Sequence, residues 1–189
     1  PYAKSKIKLE KFIIKKSKTD NINFIILRYF NVAGADLKKR TGMIGKSSTN
    51  LIKVLCEVAI GKRDKFIING NSFNTKDGTT IRDFIHVSDL ADIHYLSAKY
   101  LMKNKRSQIF NCGYGLGFSI MDVLKNMNRI LKRKIPFIIG KPRKKDIALS
   151  ITNTKKFNRS FKWKPKYNSL KIILNSALLW EKKLNKIKY

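Results

Sequence analysis

The chain has 189 residues, 43% of them hydrophobic and 11% aromatic, which is enough apolar surface for a packed core and excludes a disordered chain. Its 42 Lys and Arg stand against 12 Asp and Glu, a formal net charge of +30, but the lysines are spread over every segment. With no RNP-like aromatics, zinc-finger spacing or basic recognition helix, a specific nucleic-acid reader is excluded, and the charge reads as a drift toward Lys, Ile and Asn.

In chain order, residues 3–17 read as an amphipathic helix, with Ile7, Phe12 and Ile14 between lysines. Residues 22–29, INFIILRY, are apolar and rich in β-branched and aromatic types, which predicts a strand buried on both faces, as in a parallel sheet. NVAGAD follows as a turn-rich exit and 36–48 as a surface loop. Residues 50–60 predict a helix with Leu51, Val54, Leu55 and Val58 on one face and Gly61 as its stop. KFIING is a strand, NSFNTKDGT a loop and IRDFIHV another strand. Ser88 reads as the N-cap of a helix over 89–103, with Asp89 and Asp92 in its first turn.

QIFNC is a strand, and GYGLGF a glycine-rich turn. Ser119 caps a helix over 120–133 whose apolar face carries Ile120, Val123, Leu124, Met127, Ile130 and Leu131. PFIIG is a strand, 153–160 a short helix, and 169–184 a last helix with Leu170, Ile173, Leu174, Ala177 and Leu178 at helical spacing. Strands alternate with helices, so the class is α/β.

Several function classes drop out. No apolar run reaches the roughly 20 residues of a membrane span. The opening PYAKSKIKLEKF lacks the apolar run of a secretory signal, and a first residue Pro1 rather than Met means a removed start or a fragment. Cys56 and Cys112 sit far apart in apolar settings and read as reduced thiols of a cytoplasmic protein. Two histidines and no cysteine cluster give no metal site; His86 reads as a packing residue. Gly113, Gly115 and Gly117 follow a strand and precede a helix. Their spacing is G-x-G-x-G with Phe118 in place of a third glycine, so they read as a structural turn and not a dinucleotide fingerprint.

Tyr2 and Lys6 form Y-x-x-x-K, which places both on one helix face. A phenol with a pKa of about 10 is a poor base near neutrality. An adjacent ammonium favours the phenolate and makes proton abstraction from a hydroxyl accessible. In so lysine-rich a chain the pair alone reads first as two solvated helix residues.

The pair is followed, in order, by LRYFNVAG, TKDGTTIRDFIHVSDLAD, NCGYGLGFS and FKWKP. Together with PYAKSK these motifs resemble the UDP-glucose 4-epimerases, NAD-dependent epimerase/dehydratases of the extended short-chain dehydrogenase class. The resemblance runs over essentially the whole chain and corresponds to that family's second half, from the active-site tyrosine onward. DGTxxRDxIHVxDLA is its specific part.

The resemblance implies the C-terminal part of a Rossmann-type doubly wound sheet plus a smaller mixed α/β substrate-binding lobe. Residues 1–35 would end the Rossmann-type domain; 36–189 would be mainly the UDP-sugar lobe, with segments near 81–112 returning to the main domain. It implies NAD as cofactor, a UDP-sugar as substrate, a missing N-terminal NAD-binding half as partner, and a homodimer when complete. Tyr2 would be the general base and Lys6 would hold the nicotinamide ribose, with Phe30 lining the nicotinamide site. Asn31, Asn50 and Leu51 would lie at the diphosphate, and Ile67 to Asn69 at the uracil. Arg82 and Arg143 would clamp phosphate, with a structural ion pair to Asp83 as the lesser alternative for Arg82. Asp146 would face the ribose hydroxyls, and Ser150 would occupy the position that gates sugar size, where a small residue accompanies N-acetylhexosamine substrates.

The chain also departs from the pattern. Asn69 replaces an aromatic, Lys53 a proline, Lys145 a glycine and Lys162 a helix-terminating glycine, and KKRTGMIGKSSTN has lost its acidic residues. The expectation is an epimerase half inactive alone; the alternatives are another nucleotide-sugar epimerase or dehydratase, a non-catalytic remnant, or a basic anion-binding protein.

Overall fold

The computed structural model describes residues 2–45 and 48–187, with Tyr2 described by its backbone alone. The first helix, α1 (Tyr2–Thr19), runs without Gly or Pro and ends at Asn21 in the left-handed region. It turns back into β1 (Ile25–Tyr29), which pairs in parallel with β5 (Gln108–Cys112). Arg28 reaches across to Glu10 with a two-pronged ion pair and ties α1 to β1. No described side chain of α1 is buried and none enters a core cluster.

β1 was expected to be buried on both faces. Among the described residues it has a strand on one side only, and Arg28 and Tyr29 stand exposed at its end. The lysines are also less scattered than expected. Lys4, Lys8, Lys11, Lys15 and Lys18 recur at the four-three spacing of a helix and form one exposed stripe on α1.

The central sheet is built on β4 (Ile81–His86). Antiparallel β6 (Gly117–Ser119) pairs along one edge, and the other edge takes parallel β8 (Leu149–Ser150) at Ile81 and Arg82 and then parallel β2 (Asn31–Ala33) from Phe84 to His86. A further parallel pair joins β3 (Phe66–Asn69) to β7 (Phe137–Gly140).

The main core lies where α2 (Leu51–Ala59), α4 (Ile120–Leu131) and α6 (Leu170–Lys186) meet β3 and β4. Leu55, Val123, Met127, Ile173 and Leu174 are fully buried there, each such side chain contributing about 1.5–3 kcal/mol. A second cluster sits under β1 and β5, against α3 (Val87–Asn104) and α5 (Lys155–Phe161), and is built on Ile85, Ile93, Phe110 and Phe157.

Ser119 caps α4 through a full capping box with Asp122, as its spacing predicts. Two local expectations give way to tertiary structure. His86, not Ser88, caps α3: its Nδ1 accepts from the Ser88 N–H at 3.1 Å. Its Nε2 also meets Ser176 Oγ at 3.1 Å, so the imidazole joins α3 to α6. In α2 the buried row is Ile52, Leu55, Cys56 and Ala59, because the helix packs on α6 and β3; Leu51 and Val54 turn outward to a cleft.

Candidate functional site

The cleft has a volume of about 410 Å³ and opens between the start of α2, the outer edge of β3, and the strands β2 and β4. Eight of the residues singled out by resemblance line it: Asn31, Asn50, Leu51, Ile67, Asn69, Arg82, Arg143 and Asp146. They come from five separate segments.

Each is held by its own local logic. Asn50 is the N-cap of α2, its Oδ1 accepting from the N–H groups of Ile52 at 3.1 Å and Lys53 at 3.2 Å. Asn50 and Leu51 line the cleft at the start of the helix, the end that favours an anion. Asn31 donates through Nδ2 to the Asp83 carbonyl at 2.9 Å, which leaves its carbonyl oxygen outward. Arg82 donates from Nη1 to the Ile81 carbonyl and from Nη2 to Asp146 Oδ1 at 2.5 Å. Asp146 Oδ1 also takes the Ile147 N–H.

The β3 wall presents backbone. Phe66 and Gly70 donate toward β7, to Pro136 and Gly140. By the alternation of a strand, the N–H and C=O groups of Ile67 and Asn69 point the other way, onto an edge with no strand partner among the described residues. That edge offers an acceptor and a donor side by side, the complement of a pyrimidine imide edge. Cationic groups dominate the lining: Arg63, Lys65, Arg82 and Arg143 against the carboxylate of Asp146. Four cations against one carboxylate make the lining complementary to an anion.

Lys6, Phe30 and Ser150 do not line the cleft. Ser150 lies beside it, in register with Arg82 across the β4–β8 pair. Phe30 sits between β1 and β2. The Tyr2 side chain, proposed as the base, lies outside the described residues. Sequence reasoning missed Arg63 and Lys65. The one available signal was Glu57 six residues before Arg63, across the end of α2.

Arg82 does not pair with Asp83. Asp83 is fully buried and accepts the N–H groups of Tyr114, Gly115 and Thr152. The GYGLGF turn thus closes around an internal carboxylate. Gly113 leaves no room for a Cβ, which would meet Thr152 Oγ1 at 2.3 Å and Asp83 Oδ2 at 2.7 Å, and Gly115 adopts φ +71. Asp89 is also fully buried. It accepts the Lys166 and Tyr167 N–H groups and the Tyr114 hydroxyl. Burial and the Asp89 carboxylate push the Tyr114 phenol well above its ordinary range. The most recognisable motif of the chain, RDFIHVSD, therefore places Asp83, His86 and Asp89 as internal staples, while Arg82 and Phe84 line the cleft.

Cys56 and Cys112 are free and buried, and burial pushes both thiols up to about 12. Among the described residues no group of three or more His, Cys, Asp or Glu could hold a metal ion, and no helix is long and apolar enough to cross a membrane.

Residues 1–113 match the model of the NAD dependent epimerase/dehydratase family. A UDP-glucose 4-epimerase of Azospirillum brasilense is 38% identical over 184 residues, covering 97% of this chain and 53% of that protein. The crystal structure of UDP-glucose 4-epimerase from Bifidobacterium longum, in complex with NAD+ and UDP, superposes with a TM-score of 0.90 at 30% identity, over 97% of this chain and 55% of that one. The UDP-Glc/GlcNAc 4-epimerase of Campylobacter jejuni is 40% identical, with a TM-score of 0.77, over 97% and 56%. The chain spans about half the length of the curated relatives it matches.

Proposed function

Because this chain belongs to the NAD dependent epimerase/dehydratase family, we propose that it is the substrate-holding, tyrosine-bearing half of a UDP-glucose 4-epimerase, which interconverts UDP-glucose and UDP-galactose in galactose metabolism. The observation that carries this reading is the convergence of eight residues, nominated from five segments, on one cationic cleft. The free backbone edge at Ile67 and Asn69 suits uracil. Asn31, Asn50, the first turn of α2, Arg82 and Arg143 suit the diphosphate, guanidinium forks matching its oxygens in paired hydrogen bonds. Asp146 suits the ribose hydroxyls.

The residues present fit the nicotinamide end of NAD. α1 and β1 run antiparallel, tied at Glu10 and Arg28. That run supports a reading in which Tyr2, Lys6 and Phe30 serve the carboxyl end of β1, the end of a parallel strand at which ligands of α/β sheets bind. Bound there, NAD would supply reversible hydride transfer at C4 of the sugar without net consumption of the cofactor. Tyr2 takes the proton of the 4-hydroxyl as that hydride leaves and gives it back on return. Lys6, four residues on, favours the phenolate and holds the nicotinamide ribose. The remaining NAD contacts belong to an N-terminal half, residues 1–35 being the end of its Rossmann-type domain and 36–189 mainly the sugar lobe. Exposed Ile7 and Phe12 suit burial against it or against a second copy. The buried free thiols suit a cytoplasmic setting.

The test is turnover in the protein joined to its NAD-binding half. Tyr2→Phe abolishes most epimerisation and leaves UDP affinity unchanged; unaltered turnover removes Tyr2 from the base role. A joined, NAD-loaded protein with no epimerase activity identifies a remnant. A second reading, a wider sugar range including UDP-N-acetylglucosamine, is favoured by the small Ser150 beside Arg82 and by the 40% identity to the UDP-Glc/GlcNAc enzyme. Turnover of both sugars, narrowed to UDP-glucose by Ser150→Tyr, supports it.

A further inference from the structure

A line of five charged side chains runs from the interior to the cleft. Glu181 on α6 is buried and takes Lys62 Nζ at 3.1 Å and Lys53 Nζ at 2.5 Å. Lys53, itself buried, also reaches Glu57 Oε1 at 3.4 Å. Glu57, buried in turn, accepts Arg63 Nε on its other oxygen at 2.6 Å. Arg63 is the only member of the line named among the residues lining the cleft, where its Nη2 donates to the Ser48 carbonyl at 3.3 Å. Ser48 Oγ accepts the Asn50 N–H at 3.1 Å, and Asn50 caps α2. A guanidinium anchored from within thus grips the segment that presents Asn50 and Leu51 to the cleft.

We infer that Arg63 is a positioning residue for diphosphate recognition, held by Glu57 and fixing the Ser48–Leu51 wall at the phosphate end of the cleft. The inference rests on the proposed nucleotide-sugar reading of that cleft. Three features of the geometry support it. Nε and one Nη2 hydrogen are spent on Glu57 and Ser48, which sets the plane of the fork. The carboxylate that holds it is buried, so the fork has little freedom to swing away. Arg63 is the cation of the line that lines the cleft, so its charge is the one a phosphate there would meet. Lysine at 63 could not hold both Glu57 and Ser48 in one plane.

The test compares UDP with uridine, which lacks the phosphates, by calorimetry on the full protein, with thermal midpoints measured in parallel. Arg63→Gln is expected to weaken UDP about tenfold or more, the scale of a lost charged hydrogen bond, while uridine affinity holds within about twofold. Arg63→Lys recovers part of the loss. Glu57→Gln, which keeps Arg63 but loosens it, weakens UDP less than Arg63→Gln does. The double variant is no worse than Arg63→Gln alone, since the two act as one unit. Equal loss of UDP and uridine overturns the inference in favour of a general packing role. So does UDP affinity untouched by any of the substitutions, with the nucleotide reading left standing. Absence of UDP binding by the unaltered protein overturns both.

Discussion

Arg82 and Asp146, 64 positions apart in sequence, share a 2.5 Å hydrogen bond at the cleft. The contact fixes the guanidinium plane against β4 and leaves its other N–H groups for a ligand. Arg82→Ala is expected to weaken UDP by about 1.5–3 kcal/mol, the range for hydrogen bonds to charged groups, and to leave uridine nearly unaffected. Asp146→Asn should weaken both, because its proposed partner, the ribose, is common to the two ligands. Calorimetric titration with each ligand checks the contrast; equal behaviour of the two variants contradicts the assignment.

His86 gives the stability a pH dependence near neutrality. Burial holds its imidazole below the ordinary value, opposed in part by Asp89 and Asp36. The unfolded chain therefore binds a proton that the folded one resists. Stability is fully present above the unfolded value of about 6.5 and falls as pH drops below it. Urea midpoints measured between pH 7.5 and 5 should decline, and His86→Asn, which retains a capping side chain, should flatten the decline. An equal slope in the variant places the titrating group elsewhere.

Lys53 is one of the departures that suggested decay, yet it is buried between two glutamates. Lys53→Met leaves Glu181 and Glu57 each with a single, more exposed cation. The expected cost is about 3 kcal/mol, the lower end for breaking a buried pair. Adding Glu181→Gln should restore part of it. Chemical denaturation of the single and double variants measures the coupling, and strict additivity would deny it.

Lys132 and Lys162 end α4 and α5 in the left-handed region, at φ +53 and +49. A side chain there strains the backbone, while glycine does not. Lys132→Gly and Lys162→Gly should each stabilise by about 1 kcal/mol, raising the thermal midpoint by about 2–4 °C. A lowered midpoint would mean the lysine side chains contribute more than the strain.

Long periodic elements were legible in the sequence. The apolar rows of α4 and α6 and the runs of β3 and β5 coincide with the observed elements because burial dictates them, whereas β7, with Phe137, Ile138 and Ile139 exposed, coincides because it pairs with β3. β2, β6 and β8 are two or three residues long and carry no period; they exist because β4 offers edges to pair with. His86 replaced Ser88 as a cap because a strand end and α6 hold its ring in place. In the site, the eight cleft residues were found through shared motifs and not through periodicity. Arg63 and Lys65 went unnoticed because one cation carries no signal among 42, and only the fold shows which carboxylate steadies it.

No described side chain of α1 is buried, and the Glu10–Arg28 ion pair ties it to β1. Its amides should take up deuterium early, opening together well below the free energy needed to unfold the main core. A reagent or neighbour that quietens that exchange is one that has come to rest on the rod carrying the phenol proposed as the base. The rate at which α1 exchanges thus becomes a gauge of whether that phenol is held ready for work.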